Sequence, residues 1–173
     1  MTIVDTILRG GKVINVQTRS IEYIDVGIKD GIFVFDASEA QEIIDVNGAY
    51  IAPGFIDAHM HVESTMLPPT SFVQLTLPHG TTTAIFDPHE IANVLGIAGI
   101  KLIMDDAKGI PFDAYFAASS CVPASPLETS GAVLLSDDLE PLFEDERVIA
   151  LAEMMNFPGV IHDDEEVHKK IKM

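Results

Sequence analysis

Two histidines one residue apart, His59 and His61, close an apolar run in Asp57-Ala58-His59-Met60-His61. If that run is a strand, alternate residues face the same side and the two imidazoles project together. Paired imidazoles at one spot can bind a single borderline divalent metal ion. An isolated His-x-His is more often two polar residues in a loop; here the strand context and the residues further along favour the metal. Glu153 ends a second apolar run, Val148-Ile149-Ala150-Leu151-Ala152-Glu153. A carboxylate there either reaches water or needs a partner, which a metal ion or metal pair near His59 and His61 would supply. A third group lies in Phe86-Asp87-Pro88-His89-Glu90, where a strand gives way to a helix. Asp87, His89 and Glu90 form a binding mouth there, or Asp87 or Glu90 simply caps the helix, and residue types leave both open. Glu63, two residues past His61, is a candidate to hydrogen-bond a ligand from behind or to make a polar contact, and Ser64 beside it carries a weaker signal. Cys121, with no His or Asn next to it, reads as a small buried residue rather than a nucleophile. The sequence holds no P-loop, no dinucleotide fingerprint and no serine nucleophile elbow.

These residues need strands to present them. Up to residue 52 the chain reads as a small β domain. Strands are expected over Thr6–Arg9, Lys12–Val16, Glu22–Lys29, Ile32–Phe35 and Glu42–Val46, with turns at Gly10-Gly11, Asp30-Gly31 and Asn47-Gly48. Asp30-Gly31 is the signature of a type I′ hairpin. From residue 53 apolar strands alternate with helical stretches. Strands are expected over Gly54–Ala58, Thr82–Phe86, Asp113–Ala118 and Val148–Glu153, and helices over Thr70–Leu77, Ile91–Lys108, Leu139–Glu144 and from Asp163 onward. Such alternation predicts βαβ units on a parallel sheet, and so an α/β fold. A TIM-type (β/α)8 barrel takes about 250 residues, whereas about 120 follow Pro53. Residues 53–173 are therefore expected to be the first four βα units of a truncated barrel, marginal in isolation because a half-barrel exposes strand edges.

Composition narrows the partners. The 27 acidic and 10 basic residues give a net charge of -17, which argues against nucleic acid and against an anionic membrane surface. Cys121 is the single cysteine, so there is no disulfide framework and no cysteine-based zinc ribbon. The first five residues lack a signal-peptide pattern, and no apolar stretch approaches the ~18 residues of a membrane span, so a cytoplasmic protein is expected.

The run from Ala52 to His61, APGFIDAHMH, resembles the opening motif of the amidohydrolase superfamily. Within it, HMHVESTML (His59–Leu67), Gly80-Thr81-Thr82-Thr83 leading into DPHEIANV (Asp87–Val94), and AEMMNFPGV (Ala152–Val160) are similar to the adenine deaminase family. The likeness covers nearly the whole chain. It implies the first half of a deformed (β/α)8 barrel, with residues 1–52 belonging to a flanking β-sandwich. It also implies that His59 and His61 are metal ligands from the first barrel strand and that Glu153 is the carboxylate bridging two metals from the fourth. The implied cofactor is a divalent metal, binuclear and most often manganese, with iron or zinc as alternatives. The implied reaction is hydrolytic deamination of adenine to hypoxanthine and ammonia, in purine salvage, by a protein that is a homo-oligomer when full length. Asp87, His89, Glu90 and Glu63 would lie at the substrate mouth or behind the ligands. The family's proton-shuttling Asp and its further His ligands are expected beyond residue 173, so no catalytic residue is named. Other readings are an amidohydrolase acting on a cyclic amide or an N-acetyl group, or an inert truncated product.

Overall fold

The computed structural model describes residues 3–125 and 127–173. Met1 and Thr2, part of the start that lacks a signal-peptide pattern, lie outside the described residues, as does Pro126. The chain divides into two compact units, one up to Pro53 and one from Gly54 on. No helix among the described residues is long and apolar enough to cross a membrane.

The first unit has seven strands: β1 (Ile3–Arg9), β2 (Lys12–Asn15), β3 (Ser20–Glu22), β4 (Val26–Lys29), β5 (Ile32–Val34), β6 (Glu39–Asp45) and β7 (Tyr50–Ile51). They form two sheets, ordered β5-β4-β1-β6 and β3-β2-β7. The β4–β5 hairpin turns on Asp30 and Gly31, both at positive φ (51° and 76°), as a type I′ turn requires. Asn47 and Gly48 have the same signs of φ, yet their turn joins strands of different sheets rather than a hairpin. Gly10 (φ 72°) bends the neighbouring β1–β2 connection, and the Gly48 N–H donates to the Gly10 carbonyl at 2.9 Å, so two paired parallel strands turn the corner together. The expected single strand over Glu22–Lys29 is instead two. β3 pairs with β2 and β4 with β1, so the chain changes sheet in between. Asp25 in that break accepts the Gly10 N–H at 3.0 Å. Val4, Ile7 and Val26 are the buried apolar residues of this unit.

The second unit carries β8 (Phe55–Met60), β9 (Thr81–Phe86), β10 (Asp113–Ala118) and β11 (Val148–Leu151), parallel and in the order β11-β10-β9-β8. Each crossover is helical, as a parallel pair demands. α1 (Pro69–Thr76) links β8 to β9, α2 (His89–Leu95) and α3 (Ile97–Asp106) link β9 to β10, and α4 (Ser136–Leu139) with a 3₁₀ turn over Glu140–Glu144 links β10 to β11. α5 (Phe157–Ile161) and α6 (Glu165–Ile171) follow. Phe86 and Phe116, fully buried on neighbouring strands, have ring centroids 5.7 Å apart, and Phe72 of α1 meets Phe86 edge-on at 5.9 Å. This aromatic core holds helices to strands and leaves the strand ends to the polar residues.

Three helix expectations need correction. Ile91–Lys108 is broken at Gly96 (φ 62°, ψ -143°), a backbone conformation that side chains with a Cβ resist. The second helix then folds back so closely that a Cβ on Gly99 would meet the Ile91 carbonyl at 2.6 Å. Leu139–Glu144 is α-helical only to Leu139 and continues as 3₁₀. The last helix starts at Glu165, with the Asp164 carboxylate accepting the Val167 N–H at 3.0 Å, and the short α5 before it was not expected.

Arg147, just before β11, ties that strand to α3. Its guanidinium donates to Asp145 at 3.0 and 2.8 Å and to the Met104 carbonyl at 2.8 Å, and it lies over the Phe116 ring at 5.4 Å. The hydrogen bonds from Arg147 hold Asp145 down from an ordinary 3.8 to about 2. A lowered carboxyl pKa stabilises the fold fully above the ordinary value and is lost as the pH falls through the folded one. Asp145→Asn is expected to cost about 1 kcal/mol near neutral pH, the pair being partly exposed. In urea melts the gap to the parent should close as the pH falls from 3.8 towards 2; a gap independent of pH would contradict the assignment.

Candidate metal centre

β8 delivers the two histidines irregularly. Asp57 stands opposite Ala84 and Met60 opposite Phe86, three residues of advance on β8 against two on β9, which is a bulge over Ala58 and His59. The His59 N–H is bonded to the Asp57 carboxylate at 3.3 Å. The two imidazoles nevertheless converge, with ring centroids 5.1 Å apart and nearly perpendicular planes.

Glu153 lies two residues past the end of β11. Its Oε1 is 3.6 Å from His59 Nε2 and 3.4 Å from His61 Nε2. Asp87, just past β9, extends the parallel ladder by donating its N–H to the Met60 carbonyl at 2.8 Å. Asp87 is 1 % exposed, and its carboxylate accepts the Ser119 hydroxyl at 2.8 Å. One ligand atom from each of His59, His61, Asp87 and Glu153 falls within 4.8 Å of the others. The structure therefore brings Asp87 into the same cluster as the three residues singled out as ligands in the sequence.

Glu90 Oε2 is 3.1 Å from His61 Nδ1, so both nitrogens of His61 face carboxylates. Burial works against charging this imidazole, but Glu90, Asp87 and Glu153 outweigh it and raise its pKa. Asp87 is pushed up by its burial, against the Ser119 hydrogen bond and the neighbouring histidines. The capping alternative is settled by geometry. Neither Asp87 nor Glu90 caps α2; Glu63, from the 3₁₀ turn after β8, accepts the Ile91 N–H at 3.1 Å. Burial raises the pKa of Glu63, and its Oε2 is buried without a hydrogen-bond partner. His89, 7 % exposed, has Nε2 3.2 Å from Asn93 Nδ2 and a buried, unpartnered Nδ1. Ser64 is exposed and outside the cluster. Cys121 is buried, its sulfur contacted by the Ser120 hydroxyl, Met154 Sδ and the Asn156 N–H.

The donor set suits a divalent cation. Two carboxylates and two imidazoles within 4.8 Å place like charges together, one of them on a nearly fully buried side chain, and a cation among them removes both penalties. Sequence reasoning passed over Ser119, and nothing in the residue type marked it. The one available signal was its place directly after the apolar strand Asp113–Ala118, level with the other strand ends.

Residues 50–173 match the Amidohydrolase family. The chain is 48% identical over 157 residues to the adenine deaminase of Geobacillus kaustophilus, covering 90% of this chain and 27% of that one. It is 48% identical over 170 residues to the adenine deaminase of Methanothrix thermoacetophila, covering 98% of this chain and 30% of the relative. The chain thus spans 27% to 30% of the length of these curated relatives. A solved β-aspartyl dipeptidase from Fervidobacterium islandicum shares the fold, with a TM-score of 0.51 at 21% identity over 86% of this chain and 40% of that one.

The charge arrangement around His61 can be read directly. Glu90→Gln removes a carboxylate that favours the imidazolium, so the His61 pKa should fall in metal-free protein. An NMR titration of the imidazole checks this, and an unchanged pKa would contradict the Glu90–His61 contact.

Proposed function

The chain belongs to the amidohydrolase family, and from that premise we propose that its parent protein hydrolyses adenine to hypoxanthine and ammonia at the strand-end cluster. The observation that carries the substrate is the 48% identity to adenine deaminases across 90% to 98% of this chain. His59, His61, Glu153 and Asp87 would hold a divalent metal, in a binuclear centre on this reading. We take manganese as the native metal, with iron or zinc as substitutes. Such an ion, when bound, supplies water acidic enough to act as a nucleophile near neutral pH.

The chain's own residues do the rest. Water adds at C6 of adenine, the bond from C6 to the exocyclic nitrogen breaks, and the departing nitrogen leaves as ammonia with the protons it gains. Glu90, beside His61 and partly exposed, can accept or return a proton at Oε2. Burial raises the pKa of Glu63, and its carboxylate holds the start of α2 by accepting the Ile91 N–H. Asp87, His89 and Glu90 line the mouth, with Asp87 held by Ser119. On the same reading the reaction serves purine salvage in the cytoplasm, in a homo-oligomer. The net charge of -17 supports a small-molecule substrate over nucleic acid or an anionic membrane.

In the protein expressed between its natural gene boundaries, His59→Ala should remove bound manganese and reduce ammonia release from adenine by at least about a hundredfold. Metal analysis and an ammonia assay check both. Full activity in this variant would overturn the ligand assignment. Turnover of hydantoin, dihydroorotate or an N-acetyl sugar in place of adenine would overturn the substrate.

A further inference from the structure

Lys170 is buried at 7 % exposure near the end of α6, while its neighbours Lys169 and Lys172 are exposed. Removing an ammonium from water costs several kcal/mol unless it is well answered. The recorded partners of Lys170 Nζ are two backbone carbonyls, Ser120 at 3.0 Å and Leu134 at 2.6 Å. Burial pushes its pKa down, against the pull of Cys121, Glu166, Asp138 and Asp164. If its only task were to dock α6, an apolar side chain would serve as well, as it does at Val167 one turn earlier.

The carbonyl that Lys170 grips belongs to a segment with two other bonds. The Ser119 hydroxyl donates to the Asp87 carboxylate at 2.8 Å, and the Ser120 hydroxyl donates to the Glu153 backbone carbonyl at 2.5 Å. Two adjacent residues past β10 thus reach both carboxylate residues of the cluster, one through its side chain and one through its backbone. α6 is itself anchored to α4, by Glu166 accepting the Ser136 N–H and by Lys169 paired with Asp137. A fixed helix, a buried cation and a serine pair therefore form one connected path to the site.

We propose that Lys170 is a positioning residue for the metal centre: by gripping the Ser120 and Leu134 carbonyls it fixes the Ser119–Ser120 segment that holds Asp87 and Glu153. This rests on the metal reading of the cluster. It concerns a residue far along the chain from every ligand, and it acts through backbone rather than by touching metal or substrate.

The test is manganese affinity, measured by competition with a chromophoric chelator on the protein expressed between its natural gene boundaries, well below its melting temperature. Lys170→Met and Ser120→Ala should each weaken manganese binding about tenfold, in the manner of groups that orient ligands. The double variant should be scarcely weaker than either single one, because both break one path. Ile100→Val, in the core of α3 at 1 % exposure, is the control: it lowers the melting temperature and leaves the affinity unchanged. Affinity within about twofold of the parent in folded Lys170→Met, or independent, multiplying losses in the double variant, would overturn the proposal. If Lys170→Met does not fold, Ser120→Ala decides: a tenfold loss supports the path and an unchanged affinity overturns it. A parent protein that takes up no manganese, iron or zinc would instead bring down the metal reading and this inference with it.

Discussion

Asp87 is 1 % exposed, and a carboxylate so far from water must have its charge answered or give it up. The response to that constraint runs through the whole second unit. The parallel ladder is prolonged past β9 so that Asp87 is fixed by its own N–H on the Met60 carbonyl. Ser119, just past the next strand, donates to it, and the two histidines at the end of β8 come from the other side. The apolar cores of Phe72, Phe86 and Phe116 sit behind this polar end and set the strands at a spacing where their termini meet. A parallel sheet makes that possible, because all four strands finish at one end.

The division of labour at the β9–α2 junction follows from the same constraint. A helix start needs acceptors for its free N–H groups, and Asp87 is the nearest carboxylate before α2. Glu63 supplies the acceptor from the preceding crossover, which leaves Asp87 to the cluster and Glu90 to His61. The cost is a second half-buried carboxyl with one oxygen unpartnered. Burial raises the pKa of that carboxyl, against the Ile91 N–H that it accepts.

Much of the fold was legible because it depends on local chemistry. Asp30-Gly31 announced its turn, since only such residues tolerate two successive positive φ values. The apolar runs over Thr82–Phe86 and Asp113–Ala118 announced strands, and Ala84, Phe86, Ala114 and Phe116 are buried there. The break at Gly96 was half-legible: glycine weakened the helix in the sequence, but only the return of α3 against Ile91 explains why the chain turns there. The His-x-His pair was noticed through strand alternation, although a bulge interrupts that strand between Asp57 and Met60. What could not be read depended on distant partners. Ser119 and Ser120 are ordinary strand-end residues until Asp87 and Glu153 are beside them. Lys170 lies in a charged helix and reads as solvated, although its spacing of three from Val167 was a faint sign of a shared buried face.

The most direct measurement on this centre is X-ray absorption at the manganese edge of the loaded protein. We expect a nearest shell of nitrogen and oxygen only, with the outer-shell scattering of imidazole from His59 and His61. A shell without imidazole scattering, or one containing the sulfur of Cys121, would contradict the assignment of the metal to these strand ends.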